Sequence, residues 1–441
     1  MSSILIESAK ILTKDNLTTA HLLLEDGIIK RISKVKPITR ADKTIHADKL
    51  IAVPGLIDVH VHLRDMELEY KETFQTGTRA AARGGYTTVI DMPNTKPPTT
   101  NALRLDEKKT RAKGRIFTNV AFQAALVQNA GEVNRMKKSG AVAFKIYLNK
   151  SLETFNSSDK TLLRIALHAA KQSDSLVTIH AEDGDAIKKT QTECVASGKL
   201  SINDFLKAHS PSVEVAAVKS ILKLCESLEV RAHVCHITTP QAVRIVRTSR
   251  YATCEATAHH LLLDQSAFQR YGTKAICVPP IRKSEYRRKL WNLFVAGKVD
   301  VLASDHAPHT IREKVTTDAW KAASGVPGLE TSLTVMLTQV FKGRLSLSRL
   351  IQASSTLPAT IFRLHGKGHL QTGYDADVVL IDPKARTTIE ASEFLSKAKY
   401  SPFEGMKCRG KAAYTIVNGS IVYQDGGIVC APVGKILRSD I

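Results

Sequence analysis

Apolar and polar positions change their period twice along the chain. Over residues 1–52 short apolar runs alternate with turns, as in SILIESAKIL, AHLLLEDGIIKRI and KTIHADKLIAVPG. Such runs, broken by EDG-type turns, predict strands. The tail over 366–441 has the same character: GYDADVVLIDP, then AAYTIVNGSIVYQDGGIV. Its VNGSIV stretch sets Asn-Gly between β-branched runs, the signature of a tight hairpin. In between, β-rich runs alternate with longer helical stretches. The strand candidates are 56–61, 86–92, 116–122, 141–147, 176–181, 231–237, 251–257 and 299–305. Helical patterns such as 158–172 and 212–228 separate them. Eight strands alternating with helices predict an α/β fold, a (β/α)8 TIM-like barrel over 53–365. The segments 1–52 and 366–441 are then expected to meet as a small β-sandwich domain built from both chain ends. No internal repeat is visible beyond this βα alternation.

Bulk properties change this picture little. No apolar run approaches the length of a membrane span, and the first residues lack the charged and apolar regions of a secretory leader. The 7 cysteines show no CxxC spacing. Free thiols in a reducing cytoplasm are the expectation. Lys plus Arg number 63 against 42 Asp plus Glu, a net charge of +21. The bases are dispersed and only 5% of residues are aromatic, so a nucleic-acid platform is not expected. The charge is read as a proteome or solubility trait, one that can also raise the local concentration of a dianionic substrate.

The chemistry falls at strand ends. IDVHVHLR (57–64) places His60 and His62 two apart, so both point to one face, with Arg64 just beyond. Asn94 follows the second strand, and Lys145 lies in the fourth. His180, His236 and Asp305 end the fifth, sixth and eighth, and His309 follows in SDHAPH. In a barrel these ends converge on one mouth. Paired imidazoles with an acid suit a divalent transition metal. A lysine in an apolar strand is costly unless paired or chemically altered. One alteration is reaction with carbon dioxide to a carbamate, an anion with two ligand oxygens. Asp305 is open to the roles of ligand, base or helix cap.

The motifs PGLIDVHVHLR (54–64), DMPNTKPP (91–98), FKIYLN (144–149), IHAE (179–182), CHIT (235–238), CEATAHHL (254–261), SDHAPH (304–309), PGLET (327–331) and SPFEGMKCRG (401–410) together resemble dihydroorotases of the amidohydrolase superfamily. The resemblance runs over essentially the whole chain. It implies two Zn2+ per chain. His60, His62 and Asp305 would hold one, His180 and His236 the other, and carboxylated Lys145 would bridge them. The lysine bridge resembles the animal-type enzyme. Cys235 and Glu255 lie beside this set as candidates for an additional ion. Asp305 would move the proton, while Arg64, Asn94 and His309 would grip a substrate carboxylate. The implied reaction is the reversible interconversion of N-carbamoyl-L-aspartate and (S)-dihydroorotate in pyrimidine biosynthesis. A homodimer and association with aspartate carbamoyltransferase are implied partners. Two alternatives stand beside this: an allantoinase- or hydantoinase-like enzyme, and a non-catalytic scaffold for that transferase. The chain departs from the pattern in RDME (64–67), in Ala258 where Pro is usual, and in Val278 where Asn or Arg is expected. The polar loop 149–159 is a candidate cover for the site.

Overall fold

The computed structural model describes residues 3–13, 16–38, 40–153 and 155–438. Eight parallel strands lie in chain order: Leu56–Val61, Tyr86–Asp91, Asn119–Ala125, Ala141–Tyr147, Val177–His180, Ala232–Val234, Ala252–Thr257 and Val301–Ala303. All eight coincide with predicted runs. The third starts later than its apolar run, because Ile116 and Phe117 pack in the core ahead of the first ladder pairing, Thr88 with Asn119. The barrel closes between the last strand and the first. His62 N donates to His306 O at 2.8 Å, and Ser304 N donates to Asp58 Oδ1 at 3.1 Å. Asp58 thus fastens the seam from inside the barrel.

Helices cover the outside where capping and patterning agree. Helix Lys160–Gln172 starts at Asp159, whose carboxylate accepts from Thr161 N and Leu162 N. It buries Leu163, Ala166, Leu167 and Ala170 at helical spacing. Helix Pro211–Leu228 opens with Pro211 at its first position and ends at Glu229 in the left-handed region. Ala258 opens the short helix Ala258–Leu262, where Pro is favoured but an ordinary residue also fits.

Both chain ends enter one nine-stranded sheet. Strand Ile51–Pro54 pairs in parallel with Ser3–Thr13 and antiparallel with Val378–Thr388, joining the two ends directly. The predicted hairpin is present: Lys407–Val417 and Ser420–Gln424 flank Asn418 (φ 50°) and Gly419 (φ 77°). Two positive φ values are what the tight turn demands, and Asn-Gly tolerates them. A buried polar knot ties this sheet to the barrel. Asn418 donates to Asn119 Oδ1 at 2.8 Å, and Asp377 accepts from Asn119 at 3.1 Å and from Lys367 at 2.6 Å. With the far end fixed to the sheet, the opposite mouth is left for chemistry.

Candidate active site

Strand alternation sets the inward-facing residues. On the first strand Ile57 and Val59 join an apolar cluster with Ile90, Ala121 and Phe362. Asp58, His60 and His62 take the other face. Below the mouth lies a polar layer in which Thr178 donates to Gln123 Oε1, and Gln123 Nε2 donates to Val59 O at 3.2 Å. Above it the candidate residues assemble. His60 Nε2 and His62 Nε2 each lie 3.3 Å from Asp305 Oδ1. His180 Nδ1 and His236 Nε2 face each other at 3.0 Å. The ring centres of His60 and His236 are 5.1 Å apart, so the two groups adjoin. His60, His62 and Asp305 offer donor atoms close enough to share one ion. Zinc bonds of about 2.0–2.1 Å in a tetrahedron separate donors by about 3.3 Å. The spacing in both groups therefore fits a metal ion.

Outer partners fix which nitrogen points inward. His60 Nδ1 is 2.5 Å from Glu255 Oε1, and His62 Nδ1 is 2.7 Å from Asn94 Oδ1. Both acceptors turn Nδ1 outward, so that Nε2 of each ring faces Asp305 in the site. His180 reverses the arrangement: its Nε2 lies 3.0 Å from Glu182 Oε2, which leaves Nδ1 inward. His236 Nδ1 has no hydrogen-bond partner among the described residues, although it is buried. Burial opposes charge on His60, but the carboxylates of Glu255 and Asp305 outweigh it and raise its pKa to about 10. His62, with burial and Arg64 against charge, is pushed down to about 3. Burial also works against the Asp305 carboxylate, yet the surrounding histidines hold its pKa well below the usual range.

Lys145 lies beneath this ring at 1% exposure. Its Nζ is 2.8 Å from Cys235 Sγ and 5.0 Å from the centre of the Tyr147 ring. Among the described residues no carboxylate pairs with it. Its charge opposes protonation of His60, His180 and His236 alike, so it stands between the two donor groups. A buried amine without a counter-ion, beside five potential ligands, suits conversion to an anionic carbamate. Cys235 and Glu255 also come together with His60 as a possible donor set. Glu255 is already engaged by His60, His233 and the His236 amide.

The backbone is strained where it delivers these groups. Arg64, His236 and Asp305 have φ of 57°, 33° and 45°, values uncommon for residues with a side chain. Asp65 (φ 45°) anchors the turn after Arg64 by accepting from Met66 N and Phe74 N while pairing with Arg111 and Arg115. Buried Arg64 reaches Pro308 O and lies 3.3 Å from His309 Nε2. No carboxylate pairs with it among the described residues. Burial, then the Arg64 and Lys71 charges, push the His309 pKa down to about 2, so the ring is neutral.

A family model described as the amidohydrolase family matches residues 51–422. The chain belongs to the amidohydrolase family. A dihydroorotase from Methanosphaera stadtmanae is 36% identical over 437 residues, covering 97% of this chain and 98% of the relative. An L-hydantoinase from Paenarthrobacter aurescens is 34% identical, covering 97% and 96%. The solved structure of L-hydantoinase (dihydropyrimidinase) from Arthrobacter aurescens is similar at a TM-score of 0.95 and 32% identity, covering 99% of this chain and 100% of that one. The motif resemblance to dihydroorotases is thus matched by whole-chain relatives of that name, and the protein is an amidohydrolase.

In this amidohydrolase, His60, His62, His180, His236, Asp305, Arg64, Asn94 and His309 all line one cavity of about 420 Å³. Lys145 lies below its floor. The cavity has a second wall made of Ile187, Phe205, Trp320 and Val278, of which sequence reasoning singled out Val278 alone. The rings of Phe205 and Trp320 are 5.6 Å apart. These residues come from long loops and helices after the strands, and nothing in their spacing marks them. Lys150 and Asn149 at the rim were also missed as individual residues, although FKIYLN ends on Asn149. The candidate covering loop is pinned in this structure: Glu153 pairs with Arg104 at 2.5 Å and accepts from Thr100 at 2.9 Å, while Ser157 donates to Tyr147 O at 2.6 Å. Thr154 of that loop lies outside the described residues.

Proposed function

We propose that the chain is a metal-dependent cyclic-amide hydrolase that interconverts N-carbamoyl-L-aspartate and (S)-dihydroorotate. The observation that carries this reading is Arg64, a buried guanidinium in the cavity wall with no acidic partner among the described residues. An uncompensated buried cation is costly, and a substrate carboxylate compensates it with paired charge-assisted hydrogen bonds. Dihydroorotate carries such a carboxylate beside its ring amide.

Two zinc ions are the proposed cofactors, with His60, His62 and Asp305 for one, His180 and His236 for the other, and carboxylated Lys145 between them. When bound, they supply a hydroxide nucleophile near neutral pH and polarise the amide carbonyl. The chain's own groups do the rest. Arg64, Asn94 and His309 orient the ring through its carboxylate. Asn94 presents its amide with the carbonyl already committed to His62. Lys150 adds a cation at the rim, 4.8 Å from the Tyr147 ring centre. Asp305 takes the proton of the attacking hydroxide and delivers it to the departing ring nitrogen. In the reverse direction it takes the proton from the carbamoyl nitrogen as the ring closes. Pyrimidine biosynthesis in the cytoplasm is the accompanying proposal, and no helix among the described residues is long and apolar enough to cross a membrane. A homodimer and a transferase partner are proposals that rest on the resemblance alone.

A second reading is favoured by the wall of Ile187, Phe205, Trp320 and Val278 and by the L-hydantoinase relatives: a ring with an apolar substituent. The experiment is to purify the chain from zinc-supplemented cells, count metal per chain, and follow dihydroorotate opening on the same sample. About two zincs with turnover, both lost in Lys145→Ala, are expected. Metal without turnover on dihydroorotate, but with turnover on a substituted hydantoin, moves the assignment to the second reading. Neither metal nor turnover overturns both.

A further inference from the structure

A second groove lies away from the active-site cavity, where the barrel meets the end sheet. Strand Val378–Thr388 pairs antiparallel with Lys407–Val417 in a register that sets Arg386 opposite Arg409 and Thr388 opposite Lys407. Directly opposed residues share a face, and so do residues two apart on one strand. One face therefore carries Arg386, Lys407 and Arg409 together. Lys342, just past helix Ser332–Val340, approaches from the barrel side. The four cations line a groove of about 500 Å³ whose walls, among the described residues, hold no acidic side chain.

Like charges directly opposed on paired strands cost stability. Basic residues are common in a chain of net charge +21. This group differs in its register: two arginines face each other with no carboxylate paired to either among the described residues. Arg409 is held in place, since its Nε donates to Pro383 O at 3.1 Å and its guanidinium lies 5.1 Å from the Phe341 ring centre. That leaves its terminal N–H groups for a ligand. Arg386, Lys342 and Lys407 show no side-chain partner among the described residues.

We propose that this groove binds an oligophosphate anion. Two guanidinium forks and two ammonium groups match the dispersed negative charge of a phosphate chain. The Thr388 hydroxyl, on the same face, adds a donor. The aromatic ring of the groove, Phe341, already packs against Arg409, so the phosphate chain is what the groove's cations engage. The shared chemistry is a triphosphate, whether inorganic or carried by a nucleotide. This site does not depend on the substrate assigned to the barrel mouth.

The test uses the full chain at low salt, with inorganic tripolyphosphate, ATP and a duplex oligonucleotide as probes in calorimetric titration and thermal melts. Tripolyphosphate and ATP are expected to bind and to raise Tm. Arg386→Gln combined with Lys407→Gln weakens both by about tenfold or more. Equal affinity for the two probes assigns the bare phosphate chain as the ligand, and tighter ATP binding assigns the nucleotide. Arg386→Gln alone melts higher than the unmodified chain in anion-free buffer, because the cross-strand repulsion is gone. Unchanged hydrolytic turnover is the control that these variants fold. Absence of tripolyphosphate binding, unchanged affinity in the double variant, or binding of the duplex alone overturns the proposal.

Discussion

The two walls of the active-site cavity are built in opposite ways. The polar wall comes from strand ends, and three of its four histidine ligand candidates have an outer partner that fixes their direction: Glu255 on His60, Asn94 on His62, Glu182 on His180. The apolar wall comes from later loops and helices, where Phe205, Trp320, Ile187 and Val278 meet by packing and Trp320 Nε1 donates to Lys199 O at 3.0 Å. Hydrogen-bonded imidazoles on a closed barrel have little freedom, whereas packed side chains tolerate exchange of shape. On the proposed function the first wall sets the chemistry, and the second sets which ring is admitted.

The largest expected effect breaks the first wall. Asp305→Asn removes both an anionic donor and the proton carrier, and turnover should fall by roughly 10³-fold or more. Steady-state kinetics on the zinc-loaded variant checks this, and retained turnover would remove Asp305 from the proton path. A smaller effect separates the walls. Trp320→Ala should lower kcat/KM for a ring with an apolar substituent by about 10-fold or more, the scale of a lost hydrophobic pocket contact, while dihydroorotate opening stays nearly unchanged. Equal losses on both substrates would mean that the wall shapes the site rather than selecting the ring.

The smallest effect is on stability. Burial alone would raise the Glu182 pKa, but pairing with His209 and His180 outweighs it and holds the carboxylate well below its ordinary 4.5. A depressed acid contributes stability that is fully present above the unfolded value and is lost as pH falls below it. Glu182→Gln should therefore melt lower than the unmodified chain at pH 7, by about 1.5–3 kcal/mol for a buried charged hydrogen bond. The gap should close as pH falls below about 4.5. Melting curves across that window check the sign.

The contrast between the walls also explains what was legible in the sequence. Strand runs were readable because buried parallel strands are continuous apolar segments, and a polar residue such as Lys145 or His60 stands out against them. Convergence of His60, His180, His236 and Asp305 follows from closing the barrel. The hairpin at Asn418–Gly419 was readable because only a few residue types accept its backbone. Phe205 and Trp320 were not readable. An aromatic residue in a loop looks the same whether it fills the core or faces a ligand, and only the folded path brings these two within 5.6 Å. Glu182 sat in view in IHAE, but its role as the acceptor behind His180 depends on the side-chain direction that the fold imposes.

The most direct test of the central claim compares a charged ring with a neutral one. Dihydroorotate and dihydrouracil differ by the carboxylate that Arg64 is proposed to hold. The unmodified chain should prefer dihydroorotate by about 100-fold or more in kcat/KM, and Arg64→Met should erase most of that preference by weakening dihydroorotate alone. Equal use of the two rings by the unmodified chain, or a preference that survives Arg64→Met, would contradict the account.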